Sequence, residues 1–389
     1  MNDRRSKGQR KHIIMAAEKR SRYTDAVLLG VNRYAGRHGH WLVQETNSAG
    51  ALADNLRSWR VDGVLLRGAE TLPVGHALFR KRCPVVEYDQ RQPASRFPCV
   101  SADHYASGRI AAEHLIGLGF EHFACFAQPH HFSDQLARRG CCSSLQEAGR
   151  TWQELRLPRL PGGAWSLNKL VGSIMRFLAK QPLPLAVWLG ADSNIVRFYD
   201  ACDRLGLRIP EDVAFIGRGN QAVLCDTVWP SLSSVDLNAA EVGFQAARLL
   251  DRLMQGEAPP EVPILVHTGE VVTRMSTDVL AVADPLIAAA LRVMRRHTAD
   301  PVTVAQICRQ IGVSRRKLEP RFRQVVGRTP AKEMRRLRIE RAKLLLRRSD
   351  NKLTQVALEC GYSDYTNFCS SFQQETGLAP VAWARAQTQ

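Results

Sequence analysis

Four cations crowd one short stretch, "SRRKLEPRF": Arg315, Arg316, Lys317 and Arg321. On a helix, such side chains suit the phosphates of a duplex or the O6 and N7 edge of guanine, which Arg holds with two hydrogen bonds. Fifty residues on, "DYTNFCSS" offers Tyr365, Thr366, Asn367 and Ser370, mostly uncharged, with Asn suited to adenine. These two groups are the expected contacts to double-stranded DNA, the first supplying more of the affinity. Catalytic chemistry is missing. "GLGF" at 117–120 ends a helix instead of opening one, so it is no dinucleotide loop, and no Walker, HExxH or GxSxG pattern occurs. The adjacent His130 and His131 read as a solvent-facing pair, so no metal, cofactor or catalytic residue is expected. The ten cysteines form no CxxC pair, which suits a reduced cytoplasmic compartment.

The cationic stretch belongs to a repeated object. Phe322 and Phe372, Gly327 and Gly377, and Pro330 and Pro380 each stand 50 residues apart, whereas Gly312 and Gly361 are 49 apart. The second copy is therefore longer by one residue. In the first copy Thr303 can cap a short helix with Val304, Ile307 and Ile311 on one face, which Gly312 ends. Ser314 caps a second helix, with Leu318 and Phe322 facing inward. The second copy repeats this with Leu353, Val356, Ala357, Gly361, Ser363, Phe368 and Phe372. Two helices joined by a Gly-containing turn make a helix-turn-helix, expected at about 303–326 and 352–376. The stretch between them reads as one long helix burying Met334, Leu337, Ala342 and Leu345. It would hold two recognition helices about one DNA turn, roughly 34 Å, apart. Pro320 lies inside the first recognition helix, where it should bend or shorten it.

Charge agrees with this location. Of a net +17 over 389 residues, +12 falls in 285–389, with 20 Lys/Arg against 8 Asp/Glu. A basic C-terminal domain on a nearly neutral body is an electrostatic footprint for nucleic acid. No apolar run approaches a membrane span, and the start of the chain is too soon interrupted by Glu18 and Lys19 for a secretory signal.

The body has a different grammar. Short apolar runs such as "HIIMAA", "WLVQE", "VDGVLLRG", "CPVVEYD", "HFACFAQ", "PLAVWLG" and "DVAFIGRG" alternate with amphipathic helical stretches. That alternation predicts an α/β fold with doubly wound parallel sheets, long enough for two lobes with a cleft between them. Ligands in such sheets bind at the carboxyl ends of the strands. The expected division is a basic tail at 1–11, an α/β body at 12–277, a linker at 278–284 and an all-α DNA-binding domain at 285–389.

The C-terminal part, about 284–384, resembles the DNA-binding domain of the AraC/XylS family, above all in "GYSDYTNFCSSFQQETGLAP". One departure is Ala384, where that family usually has Arg after the terminal aromatic, here Trp383. The body, roughly 12–277, resembles the LacI/GalR effector domain, a type I periplasmic-binding-protein fold. The resemblance runs through "CVSADHYASGRIAAEHLIGLGF", "WLGADSNIVRFYDACDRLGLRIPEDVAFIGRGN" and "PSLSSVDLNAAEVGFQAARLL". It implies a cytoplasmic, homodimeric regulator that answers a sugar or sugar acid and often activates transcription, so RNA polymerase is an expected partner and a membrane is not. A ligand-free dimerisation platform and, more remotely, a carbohydrate-processing enzyme are the competing readings. The resemblance also implies pocket residues. Trp165 matches an aromatic that packs on a sugar ring, and Tyr23 is a candidate hydroxyl contact. Asp192 is a candidate ligand or a helix cap. Arg138 lies one residue off the family's pocket arginine, a place that Ala137 holds instead. In "FIGRGN" Gly219 stands where the family has its sugar-binding acid, with Arg218 beside it in the apolar position and then Asn220, which donates and accepts. Arg218 aimed into the cleft would favour an anionic sugar; aimed away, it decorates a surface.

Overall fold

The run KHIIMAA becomes the first strand, β1 (Lys11–Ala17), with Ile13 through Ala17 buried on both faces. Burial on both faces is what a parallel strand covered by helices on either side requires. The computed structural model describes residues 10–17, 21–39, 41–68, 83–90, 92, 97–126, 132–156, 167–278, 284–346 and 352–388. It divides into two units, Met1–Asp278 and Val279–Gln389.

The first unit holds two sheets. One joins β1 to β2 (Trp41–Thr46), β3 (Gly63–Arg67), β4 (Val85–Tyr88), β5 (Cys99–Ala102) and β11 (Ile264–Val266) in the order β11-β5-β4-β3-β1-β2, all parallel. The other joins β6 (His122–Cys125), β7 (Trp152–Glu154), β8 (Leu185–Trp188), β9 (Val213–Arg218), β10 (Ser233–Val235) and β12 (Val271–Val272) in the order β12-β10-β9-β8-β6-β7. Only β12 runs antiparallel. The chain passes from one sheet to the other after β5, after β10 and after β11, so the carboxyl ends of both strand sets belong to one unit. The doubly wound two-lobed body expected from the sequence is the observed one.

Each lobe is tied by a glycine-mediated helix pair. Helix α1 (Arg22–His38) packs on a helix late in the chain, Ala239–Met254, through Val27, Val31, Val242, Ala246 and Leu250. A Cβ on Gly30 would lie 1.8 Å from the Ala240 carbonyl oxygen, and one on Gly243 would lie 1.9 Å from that of Val27. Among the described residues the remaining helices of this unit are α2 (Ala49–Ser58), α3 (His104–Gly117), α4 (Phe132–Glu147), α5 (Leu167–Leu178), α6 (Ile195–Leu205) and α7 (Ala222–Cys225), with Ala239–Met254 as α8. In the second lobe α3 and α4 meet the same way: a Cβ on Gly108 would lie 1.8 Å from Ala137 O, and one on Gly140 2.0 Å from Tyr105 O.

The second unit is helical: α9 (Pro285–Arg296), α10 (Val304–Gln310), α11 (Arg315–Val326), α12 (Pro330–Leu346), α13 (Leu353–Glu359), α14 (Tyr365–Thr376) and α15 (Pro380–Thr388). Thr303 caps α10 in a reciprocal box with Gln306, and Ser314 caps α11 by accepting from the Lys317 N–H. The extra residue of the second copy falls before its recognition helix. Asp364, not Ser363, caps α14, accepting from the Thr366 and Asn367 amides. Helix α12 serves both cores: Met334 and Leu337 pack with Leu318 and Phe322, while Ile339 and Ala342 pack with Phe368 and Phe372. At its start Glu333, 2 % exposed, is held by Arg336 at 2.7 Å and Arg328 at 3.2 Å. Burial opposes its charge, but these guanidinium groups more than offset it and hold the carboxyl below its ordinary range. The shortening expected from Pro320 is absent. Helix α11 runs through it for 12 residues, as long as α14, and both end at a left-handed glycine, Gly327 at φ 77° and Gly377 at φ 76°. The core contacts of Leu318 and Phe322 on either side of Pro320 keep the helix intact despite its cost of roughly 3 kcal/mol.

Candidate functional site

At the carboxyl ends of β3, β4 and β9 stand three ionisable residues, Arg67, Asp89 and Arg218. Strand β9 stops at Arg218 because the next two residues leave extended geometry, Gly219 at φ 123° and Asn220 at φ 47°. The Arg218 side chain turns into the space between the lobes and is only 6 % exposed. Its Nε donates to the Gly190 carbonyl at 2.7 Å, its Nη1 to His104 Nδ1 at 2.7 Å, and its Nη2 pairs with Asp134 near the start of α4. His104 Nε2 lies 3.1 Å from Asp89 Oδ1. The other oxygen, Asp89 Oδ2, accepts from Arg67 Nε at 2.9 Å and Nη2 at 2.8 Å, and Arg67 Nη1 donates to Ser21 Oγ at 3.2 Å. One polar chain therefore runs from Ser21 and Arg67 in the first lobe, through Asp89 and His104, to Arg218 and Asp134 in the second. Burial opposes the Asp89 charge, but Arg67 and His104 outweigh it and hold that carboxyl well below the usual range.

Of the ligand residues expected from sequence, Arg218 and Tyr23 come together here. The Arg67 guanidinium lies over the Tyr23 ring, 5.0 Å from its centre. Among the described residues the buried Tyr23 hydroxyl has no hydrogen-bond partner, and burial pushes its pKa up. Beside it a cavity of 190 Å³ is lined by Met15, Ala17, Thr24, Glu45, Thr46 and Asn47, with the Thr46 hydroxyl also unpartnered. Asn220 is spent on its own lobe: its amide donates to Asp236 at 3.1 Å and its oxygen accepts from Arg274 at 2.9 Å. Asp192, fully buried, accepts from the Gln221 N–H at 2.8 Å and the Ser234 hydroxyl at 2.6 Å, so it braces the turn after β9 and does not cap the helix that follows it. Burial raises its pKa against those two donors. Arg138 pairs with Glu154 at the end of β7, one helical turn beyond Asp134, while Ala137 is buried against α3. Trp165, His130 and His131 lie outside the described residues. Arg67, Asp89, His104 and Asp134 were missed. A signal existed for the first two, which close strand-like runs in "VLLRG" and "VVEYD"; His104, set behind Asp103, carried none.

The exit from this unit is anchored to the second lobe. Ser276 Oγ donates to the Phe215 carbonyl of β9 at 2.6 Å and accepts from the Ser233 N–H at 2.9 Å. Thr277 Oγ1 donates to Ser233 Oγ at 2.7 Å and lies 2.9 Å from His114 Nε2, a histidine whose pKa burial lowers.

In the second unit the expected DNA contacts are exposed but not equivalent. Arg315 Nε pairs with Glu319 at 2.7 Å, and Arg321 pairs with Asp284, the residue that caps α9. Among the described residues Arg316 and Lys317 have no ion pair and point to solvent. On α14, Tyr365, Thr366, Asn367 and Ser370 are exposed, as is Gln373 one turn further. The fifty-residue offset between the copies also exposes Gln324, the counterpart of Gln374.

Residues 112–277 match the periplasmic binding protein-like domain family, and residues 307–386 match a helix-turn-helix domain family. Among curated proteins, the xylose operon regulatory protein of Escherichia coli K12 is 26% identical over 383 residues, covering 96% of each chain. That of Haemophilus influenzae is 25% identical over 332 residues, covering 84% of this chain and 86% of its own. A solved xylose-binding transcription activator superposes with a TM-score of 0.72 at 23% identity, covering 97% of this chain and 98% of its own. A ribose-bound LacI-family regulator of Enterococcus faecium superposes on the body with a TM-score of 0.57 at 19% identity, over 68% of this chain and 98% of its own. At these identities the two superpositions speak to fold.

Proposed function

For a chain that joins a periplasmic-binding-protein-like body to an AraC-type helix-turn-helix domain and is homologous to the xylose operon regulatory proteins, we propose a cytoplasmic, homodimeric transcription activator switched by a neutral sugar. It binds promoter DNA through its basic second unit, works with RNA polymerase and carries out no catalysis. The observation that carries this reading is the double use of β9: Arg218 at its end joins the polar chain across the cleft, and Phe215 within it holds Ser276 at the exit toward the DNA-binding unit. Whatever moves the second lobe relative to the first moves that exit as well. A sugar shifts the equilibrium only by its differential affinity for the two forms, and coupling to DNA of about 1–3 kcal/mol is the usual size.

The choice of a neutral sugar follows from charge balance. Arg218 is compensated by Asp134 and Arg67 by Asp89. Sugar hydroxyls can insert into such pairs, donating to the carboxylate and accepting from the guanidinium. A sugar acid would have to displace Asp134 and leave that partly buried carboxylate without its counter-charge, which is costly. Calorimetry with xylose, glucuronate and galacturonate on wild type and Arg218→Met tests this. Tight uronate binding that Arg218→Met abolishes would overturn the neutral choice. Binding of no sugar, with promoter footprints unchanged by any, would leave the body as a ligand-free dimerisation platform.

A further inference from the structure

Leu318 and Phe322 are fully buried and fix which way α11 faces its core. At 3.6 residues per turn, the side opposite them is centred on residue 320, with Arg316 and Gln324 one turn to either side. The residue there is Pro320, and it is exposed. Its equivalent in the second motif, fifty residues on, is Ser370. An interior proline lacks the N–H that would bond the Arg316 carbonyl, and it crowds that same carbonyl. Being exposed, it does not recover this cost by packing, and the helix is neither shortened nor ended by it.

We propose that Pro320 is a specificity determinant that reads the C5 methyl of a thymine in the major groove, next to the base read by Arg316. The proposal rests on α11 being a DNA-recognition helix. The proline ring has no donor and no acceptor. Along the major-groove edges of the four bases, thymine alone offers an apolar group. Against guanine, adenine or cytosine the ring would cover a donor or acceptor and leave it unpaired. Arg316 lies four residues, about 6 Å, back along the axis, so the thymine falls within about two base pairs of the Arg316 contact.

The test uses the full chain. Sites selected from random duplex DNA are resynthesised with each thymine replaced singly by deoxyuridine, which removes the methyl group and nothing else. One position in the half-site protected by the first motif should lose about fourfold in affinity, the worth of one buried methyl group. Pro320→Ser, which restores the N–H and copies Ser370, should bind with no response to that replacement. Insensitivity of every thymine in wild type, or the same sensitivity in Pro320→Ser, overturns the proposal. So does selection of cytosine at that position, which would point to the freed Arg316 carbonyl accepting from its amino group. Failure to select any sequence would overturn the recognition-helix reading, and the proposal with it.

Discussion

The Nη1 of Arg218 lies 2.7 Å from Nδ1 of His104. A guanidinium only donates, so Nδ1 is the acceptor and the ring proton sits on Nε2, which donates to Asp89. The histidine thus joins two ion pairs in different lobes. Removing it should uncouple them. His104→Leu leaves Asp89 and Arg218 each short of a buried partner and should cost about 2–3 kcal/mol, read as a lower midpoint in urea unfolding. An unchanged midpoint would mean that water takes the place of the imidazole for both.

Asp89 makes stability depend on pH in a defined sense. Its folded pKa is depressed, so it stabilises the fold fully above the ordinary carboxylate value of about 3.9 and loses that contribution as pH falls further. Asp89→Asn should be less stable at neutral pH by about 3 kcal/mol or more, because Arg67 is left without its counter-charge. Between about pH 4 and 2 its loss of stability on acidification should be shallower than that of wild type. Parallel curves would contradict the ion-pair assignment.

The glycine contacts carry the helix pairs. Gly140→Ala places a methyl group about 2.0 Å from the Tyr105 carbonyl oxygen, and Gly243→Ala one 1.9 Å from that of Val27. Neither backbone can yield without separating the helices, so each variant should lose about 2–3 kcal/mol, at the upper end of overpacking costs. Gly36→Ala, within α1 and with nothing within 4 Å of the added carbon, serves as the helical control and should not destabilise.

Arg316 and Arg321 should behave differently on DNA. Arg316→Ala should lose about 1–3 kcal/mol at the preferred site and less on random DNA, as expected for a base contact. Arg321 braces Asp284, so Arg321→Ala should lower the thermal stability of the second unit more than it relaxes sequence preference. Competition binding at two salt concentrations separates the outcomes. Equal loss of discrimination in both variants would remove the distinction.

Much of the molecule was legible in the chain itself. The tandem motif is written in local chemistry: caps at Thr303 and Ser314, left-handed glycines at 312, 327, 361 and 377, and apolar side chains one helical turn apart. The one-residue difference between copies was visible too, but its consequence was not. Asp364 competes with Ser363 for the same cap, and side-chain geometry at the helix start decides between them.

Local periodicity determined that there are two α/β lobes and a repeated helical reader, because helices, strands and turns are set by residues within a few positions of one another. The cleft was decided elsewhere. Arg67, Asp89, His104, Asp134 and Arg218 are scattered over some 150 residues and meet only because parallel strands bring their carboxyl ends to one edge. Strand alternation alone places Arg218 in the register of a sheet-embedded apolar side chain. What turns it into the cleft is the end of the strand at that residue, where Gly219 and Asn220 leave extended geometry and Gly190, His104 and Asp134 supply partners for its charge. A buried guanidinium goes where its partners are, and those partners are assembled by the fold.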